Sequence, residues 1–513
     1  MAHSAAPLPQ AEAGTLGQAM AEVLRVALPL MISTGTFSLV LFADRTLLLR
    51  FDGTSMSASM AAGNLFWTLV CLPVGIASMT GAIVGQYVGA GREREIGRFL
   101  WQSTWFALGT VVPLGVIGYY AESLFVWTGQ PPDLVPHEAR YLRMLMLGAA
   151  GVVLETALSG FFSGTQRTSV IMWVSVAAGV LNVGLDVLLI FGFGALPALG
   201  IAGAGIASSI AFWFKAACYA ALILAPRHEA RYRVWGGCRW DRPMLGKLLF
   251  FGLPAGLMYV TEAGGFAAIV LRIGRLGDLP LRATTMAINF NLIAFVPLVG
   301  VSIAASVLVA RHLLESGPRR AVRSVVAAWL IGWVYSGAWA VAYLVAADPM
   351  LDLYRLQDPT DESLAAIAIA RDLLGFVAIY VILDATQLIT AGALRGAGDT
   401  WFVLLAGFGV SAFAILLGIW GEPDENGLRW WWWVVTLWVW LLAAAMLGRF
   451  LQGRWKRMRM VETPADGPPG PREGRGFRPL TAASPGRDDL QDDIGPITGP
   501  VPDDHHRDRG TDR

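Results

Sequence analysis

The sequence predicts an all-α integral membrane protein with twelve transmembrane helices. They form two six-helix lobes, related by a parallel internal repeat around a central cleft. Three observations predict this fold. Of 513 residues, 15% are charged and 55% hydrophobic, whereas a soluble chain carries about 25% charged residues. Twelve stretches approach or exceed the roughly 20 apolar residues needed to cross a bilayer. Landmarks of the first half also recur in order in the second. A soluble enzyme, a nucleic-acid binder and a disulfide-built secreted scaffold are disfavoured at once. The three cysteines, Cys71, Cys218 and Cys238, match no metal spacing.

Residues 1–21 are an Ala/Pro-containing lead without the basic region of a cleavable signal, so the first span serves as its own insertion signal. The spans follow at about 22–49, 58–82, 99–121, 138–162, 169–192, 202–225, 247–274, 283–311, 323–347, 365–394, 401–420 and 429–449. The first six make an N-lobe, 22–225, and a basic linker, 226–246, leads to a C-lobe, 247–452. Loops after the even-numbered spans hold fifteen Lys and Arg residues, those on the opposite side six. That bias places both termini in the cytoplasm and the protein in the plasma membrane, the inner one of a bacterium. Trp430 to Trp433 open the last span at the outer interface, where indole rings settle in the headgroup zone. The tail, 453–513, starts basic and turns Pro-, Gly- and Asp-rich, a composition too polar to fold alone.

The repeat rests on spacing. Pro29 and Pro254, Arg50 and Arg275, Asn64 and Asn289, and Gly75 and Gly300 are each 225 residues apart. Gly160-x3-Gly164-x3-Thr168 returns as Gly392-x3-Gly396-x3-Thr400, offset by 232, which a seven-residue insertion between spans 9 and 10 would explain. An even number of spans per copy gives both copies one orientation, so the symmetry axis runs along the membrane normal. Small residues recur in any membrane bundle, but ordered coincidences at one offset do not.

Against this apolar background the acids inside spans stand out: Asp44, Asp186, Glu262, Asp384 and, nearer the cytoplasmic end, Glu155. Each charge at mid-bilayer is unfavourable by about 2.5–3.5 kcal/mol, so it faces a cavity or a partner. Asp44 and Asp186 sit at matching depth, roughly 9 Å below the outer surface at 1.5 Å per residue. Asn182 lies one turn from Asp186 on the same face. This trio could hold a proton or coordinate Na⁺. Glu262 and Asp384 lie near mid-bilayer in the second lobe, suited to a second ion or to a cationic substrate. Alternatively the acids pair with the embedded bases Arg45, Lys215 and Arg371. The deep Lys215 is open to both readings, neutralising an acid or lining the cavity. Pro29 and Pro254 each break a backbone hydrogen bond and offer a bending point.

In order, these residues resemble the MATE (multidrug and toxic compound extrusion) transporters, in their NorM-like branch. The motifs are Ala27-Leu28-Pro29 with Phe42-Ala43-Asp44-Arg45, Val84-Gly85-Gln86-Tyr87-x-Gly89-Ala90-Gly91, Leu181-Asn182-x3-Asp186-x4-Phe191-Gly192, Gly252-Leu253-Pro254-x7-Glu262, and Asp384-x2-Gln387 followed by Gly392-Ala393-Leu394-Arg395-Gly396. The resemblance runs from about Glu22 to Gln452. It implies a secondary antiporter, not an enzyme, that exports amphiphilic, often cationic compounds in exchange for Na⁺ or H⁺ by alternating access. It implies ion coupling at Asp44, Asn182 and Asp186, and ion coupling or substrate binding at Glu262 and Asp384. No cofactor or resident metal is expected beyond the coupling ion. The expected partners are a small-molecule substrate and the bilayer, with no nucleic acid, and the protein is expected to act as a monomer. The alternative is a lipid-linked oligosaccharide flippase of the same superfamily, but such a cleft needs bases and here acids outnumber them.

Overall fold

The computed structural model describes residues 15–194, 197–357, 361–423 and 425–462. The first fourteen residues and most of the expected tail, 463–513, lie outside that set. Among the described residues twelve helices are long and apolar enough to cross a membrane, one for each predicted span. In chain order the α-helices are α1 (Leu16–Phe51), α2 (Gly53–Gly89), α3 (Ile96–Gly109), α4 (Val111–Tyr119), α5 (Ala121–Trp127), α6 (Val135–Gly164), α7 (Thr168–Phe191), α8 (Ile201–Ile223), α9 (Glu229–Tyr232), α10 (Arg242–Gly274), α11 (Asp278–Glu315), α12 (Pro318–Val345), α13 (Ala347–Gln357), α14 (Asp361–Ala397), α15 (Thr400–Trp420) and α16 (Gly427–Gln452).

Several helices overrun their apolar stretch because polar residues cap them. Thr15 and Gln18 form a reciprocal capping box on α1. Asp52 accepts from the backbone N–H groups of Thr54 and Ser55, and Asp241 from that of Met244. Each cap satisfies donors that a helix start leaves free. α10 therefore begins at Arg242, inside the segment expected as linker.

Two further expectations need correcting. The third span is broken at Thr110 into α3 and α4, because Pro113 has no N–H to offer the carbonyl of Gly109. The seven extra residues are not an insertion between spans 9 and 10. They lengthen the tenth span itself, since α14 has 37 residues where its counterpart α6 has 30.

The sequence repeat is also a repeat of packing. α2 lies on α6 as α11 lies on α14, α6 on α8 as α14 on α16, and α1 on α7 as α10 on α15. The lobes meet along four helices in reciprocal pairs, α1 with α11 and α2 with α10. Glycines set the closest approaches. A Cβ at Gly75 would fall on the backbone of Gly256, and one at Gly300 on the backbone of Met31. Positions 31 and 256 are themselves 225 apart, so both seam contacts obey one two-fold operation. Within the lobes, Gly164 approaches the Gly81 carbonyl as Gly396 approaches that of Ser306, again 225 residues apart. All four seam helices carry an internal proline: Pro29, Pro73, Pro254 and Pro297. The carbonyl of Arg25, left without its helical donor by Pro29, faces the Thr168 hydroxyl at 3.5 Å. Pro73 and Pro297 escaped the sequence reading because their offset is 224, one short of the repeat.

One end of the bundle is tied across the seam by polar contacts. Glu22 of α1 meets His312 Nε2 at 3.1 Å and Arg320 at 3.5 Å, and Arg311 donates to Gln166 at 2.6 Å. The linker docks on α3 and the turn before it: Trp101 Nε1 donates to the Val234 carbonyl at 2.7 Å, and Arg231 pairs with Glu93. Beyond α16, residues 453–462 form a strap back to the first lobe. Trp455 stacks on Phe450 with centroids 4.9 Å apart. Met460 and Val461 are buried with Ile83, Tyr87 and Phe251. The Met460 N–H donates to Gln86 Oε1 at 2.7 Å, Gln86 Nε2 donates to the Gly396 carbonyl at 3.2 Å, and Arg92 donates to the Glu462 carbonyl at 2.9 Å. Gln86 is fully buried, so this motif residue joins both lobes and the strap.

Candidate functional site

α1 is the least anchored of the long helices. Between Leu30 and Asp44 it buries no residue. At the upper limit of that stretch Asp44 turns into the first lobe, where α7 brings Asp186 and Asn182 and α8 brings Ser208. All four are buried: Asp44 is 4% exposed, Asn182 1%, Asp186 0% and Ser208 7%. In the amide orientation that satisfies both its ends, Asn182 donates to Asp44 Oδ1 at 3.1 Å and to Asp186 Oδ2 at 3.2 Å, and accepts the Ser208 N–H at 3.1 Å. The Ser208 hydroxyl donates to Asp44 Oδ2 at 3.4 Å. Asp186 Oδ1 is buried with no hydrogen-bond partner. Two carboxylates shielded from water repel one another, and a proton or a small cation shared between them relieves that repulsion.

The predicted trio is therefore one cluster, on the two helices that sequence depth suggested. Ser208 was missed. Serine is common in membrane helices, and only its place seven residues before Lys215 on α8 would have pointed to it.

The second-lobe acids are arranged differently. Asp384 is 7% exposed and lies beside Gln387, 6% exposed, one turn along α14. Glu262 of α10 is only half-buried. Its neighbouring charges are Asp384 and Arg395. Arg395 sits over the Tyr259 ring at 5.8 Å and donates to Ser302 at 3.4 Å. Glu262 and Asp384 occupy spans seven and ten, whereas Asp44 and Asp186 occupy spans one and five. The fold is two-fold symmetric and its acids are not.

The pairing alternative fails for these four acids. Among the described residues none of them has a Lys, Arg or His nitrogen within 4.0 Å. Arg371 pairs instead with Asp348 at 3.1 Å, an exposed pair near the start of α14. Lys215 pairs with Glu155, the fifth acid, at 2.8 Å. Arg45 remains beside Asp44 as a half-buried electrostatic neighbour. No group of three or more potential metal ligands of the His, Cys, Asp and Glu kind forms among the described residues.

Two six-helix lobes, a seam of four proline-bearing helices and sealed carboxylates define a multi-pass membrane transporter rather than an enzyme. The family model MatE matches residues 29–188 and 254–420, one stretch per lobe, and the chain belongs to that family. The multidrug resistance protein NorM of Burkholderia vietnamiensis is 28% identical over 445 residues, covering 85% of this chain and 95% of that protein. The probable multidrug resistance protein NorM of Xanthomonas campestris pv. campestris is 30% identical over 381 residues, covering 73% and 81%. In fold, the chain matches the crystal structure of the eukaryotic MATE transporter AtDTX14 with a TM-score of 0.76 at 18% identity, over 86% of this chain and 97% of that one. It also matches a MATE structure in the straight conformation, with a TM-score of 0.76 at 19% identity, over 85% and 97%.

Proposed function

We propose that this transporter is a multidrug efflux antiporter of the NorM kind, exporting amphiphilic and mainly cationic compounds in exchange for inward Na⁺ or H⁺. The observation that carries this reading is the sealed Asp44–Asn182–Asp186–Ser208 cluster, two acids without a paired base. A fixed structural pair would have its counter-charge built in. A coupling site instead takes it from solution and gives it up again. Support for the substrate class comes from the NorM relatives and from the half-buried Glu262, an anionic anchor for a cationic drug.

The mechanism follows from packing. An ion reaching Asp44 and Asp186 changes the charge at a buried residue of α1. Because α1 buries no residue between Leu30 and Asp44, and Pro29 removes a rung of its ladder, that change alters its path. α1 packs on α11 across the seam, so its movement reaches the second lobe and the drug site. Rocking of one lobe against the other completes alternating access. Pro73, Pro254 and Pro297 give the other seam helices the same freedom. In this reading the strapped end faces the cytoplasm, as the Lys and Arg bias of the loops indicates, and the membrane is the bacterial inner membrane.

The transport test uses purified protein in liposomes and an ethidium signal under an imposed Na⁺ or H⁺ gradient. Ethidium movement that one gradient drives and the matching ionophore abolishes is the expected result. Movement indifferent to both gradients overturns the antiporter. Orientation has its own test at Cys238, an exposed thiol in the linker. With Cys71 and Cys218 replaced by Ala, a membrane-impermeant maleimide is expected to spare Cys238 in intact spheroplasts and to label it in inverted vesicles; the reverse pattern would invert the topology.

A further inference from the structure

The Glu155–Lys215 pair is used by none of the steps above. It lies inside the first lobe. On α8, Ser208, Lys215 and Tyr219 are seven and four residues apart and so share one stripe. The two flanking members bond inward, Ser208 to Asp44 and Tyr219 to the Ile171 carbonyl at 3.5 Å. The opposite side of α8 exposes Ile210 and Trp213, the side turned to lipid. Below the acid cluster, the Ser33 and Ser175 hydroxyls join α1 to α7 at 2.7 Å. This polar column continues to Tyr219, which feels the charge of Glu155. Yet the pair is not sealed as the acid cluster is: Lys215 keeps 20% and Glu155 14% of its side-chain surface exposed. An ion pair facing inward within the spans and still partly accessible borders a hydrated space inside the lobe, for lipid contact would be far more unfavourable.

We propose that Glu155 and Lys215 form a second station in the first lobe, a charge filter for what binds there, about 10 Å along α8 from the Asp44 cluster at 1.5 Å per residue. The Lys215 ammonium is a tethered cation that already occupies Glu155. A cationic amphiphile entering that hydrated space must compete with it for the carboxylate. An anionic group meets Lys215 held in place by Glu155. The pair therefore sets how strongly the lobe discriminates by ligand charge. It rests on the reading of the first lobe as part of a drug transporter, and deepens that reading by naming a specificity-determining pair.

The test is equilibrium binding to purified full-length protein in detergent, with the monocation ethidium and, at pH 8, the monoanion resorufin. Lys215→Met frees Glu155 and is expected to tighten ethidium about tenfold and to weaken resorufin; a full charge a few ångströms away in a partly wet site is worth at least that much. Glu155→Gln leaves Lys215 unopposed and is expected to do the reverse. The double variant Glu155→Gln/Lys215→Met is expected to return both dyes to within about twofold of wild type, because each change removes one sign of charge. Ethidium binding that appears only in Lys215→Met also supports the filter. Dye affinities that do not move, that move together in both single variants, or that are absent in every variant overturn it. A drop in melting temperature with unmoved affinities would make the pair a structural strut. The filter's failure and the antiporter's are distinguishable. Binding shifts of opposite sign without gradient-driven transport would sink the antiporter alone, and gradient-driven transport with unmoved affinities would sink the filter alone.

Discussion

Asp44→Asn is expected to reduce gradient-driven efflux at least tenfold while leaving the protein folded and its melting temperature within a few degrees of wild type. The asparagine keeps the shape of the carboxyl and can still accept from Ser208, so packing survives. What disappears is one of the two negative charges that draw an ion into a site 0–7% exposed. Removing one of two carboxylates from a sealed pair leaves little reason for a cation to leave water. Glu262→Gln is expected to have a smaller effect on coupling and a larger one on the affinity for ethidium, because Glu262 is half open and already shares the field of Arg395. Initial transport rates at saturating dye and dissociation constants in detergent separate the two. Equal loss of transport in both variants with unchanged binding would contradict this division of labour between the lobes.

The second large effect is on stability. Gly396→Val is expected to destabilise the protein by about 1–3 kcal/mol, the usual range for forcing extra atoms into a close-packed interior. Its Cβ would land on the Ser306 carbonyl, backbone that no rotamer change can move aside. The new bulk would also press on the Gly396 carbonyl that Gln86 holds at 3.2 Å. Gly375→Ala, in the same helix but with nothing within 4 Å, is the control and should leave the melting temperature the same or slightly higher, because alanine costs less backbone entropy in a helix. Thermal-shift curves of the two variants decide the matter. A Gly396→Val protein as stable as wild type would mean that α11 and α14 can separate here without penalty.

Much of this architecture was legible in the sequence for a simple reason. In a bilayer, burial is set by composition over some twenty residues, not by which residue touches which. The twelve spans and the two-fold spacing of Gly75 and Gly300 depend on nothing else. Asp44, Asn182 and Asp186 were legible as a set because depth follows from counting along a helix. Rotational phase between helices does not follow from counting. Hence Lys215 and Glu155 were both visible as embedded charges, but not that the two, 60 residues apart in the chain, pair with one another. Ser208 was invisible for the same reason. The break at Thr110 had its signal in Pro113. The strap had none, since Trp455, Met458, Met460 and Val461 are interspersed among Arg454, Lys456, Arg457 and Arg459 in a stretch that composition reads as a basic tail.

The linker and the strap cross the seam at the same end of the molecule, so the chain itself makes a spine there, like the binding of a book. Rotation about such a spine is small near the binding and amplified at the free edge. α1 alone, at 36 residues, reaches about 54 Å at 1.5 Å per residue. With an arm of that length, each ten degrees of the proposed rocking would move the free edge by roughly 9 Å. The two directions of opening are thus mechanically unequal. Under the rocking proposed above, the free edge would part by leverage alone, whereas the bound edge would part only after Met460 and Val461 had left their pocket.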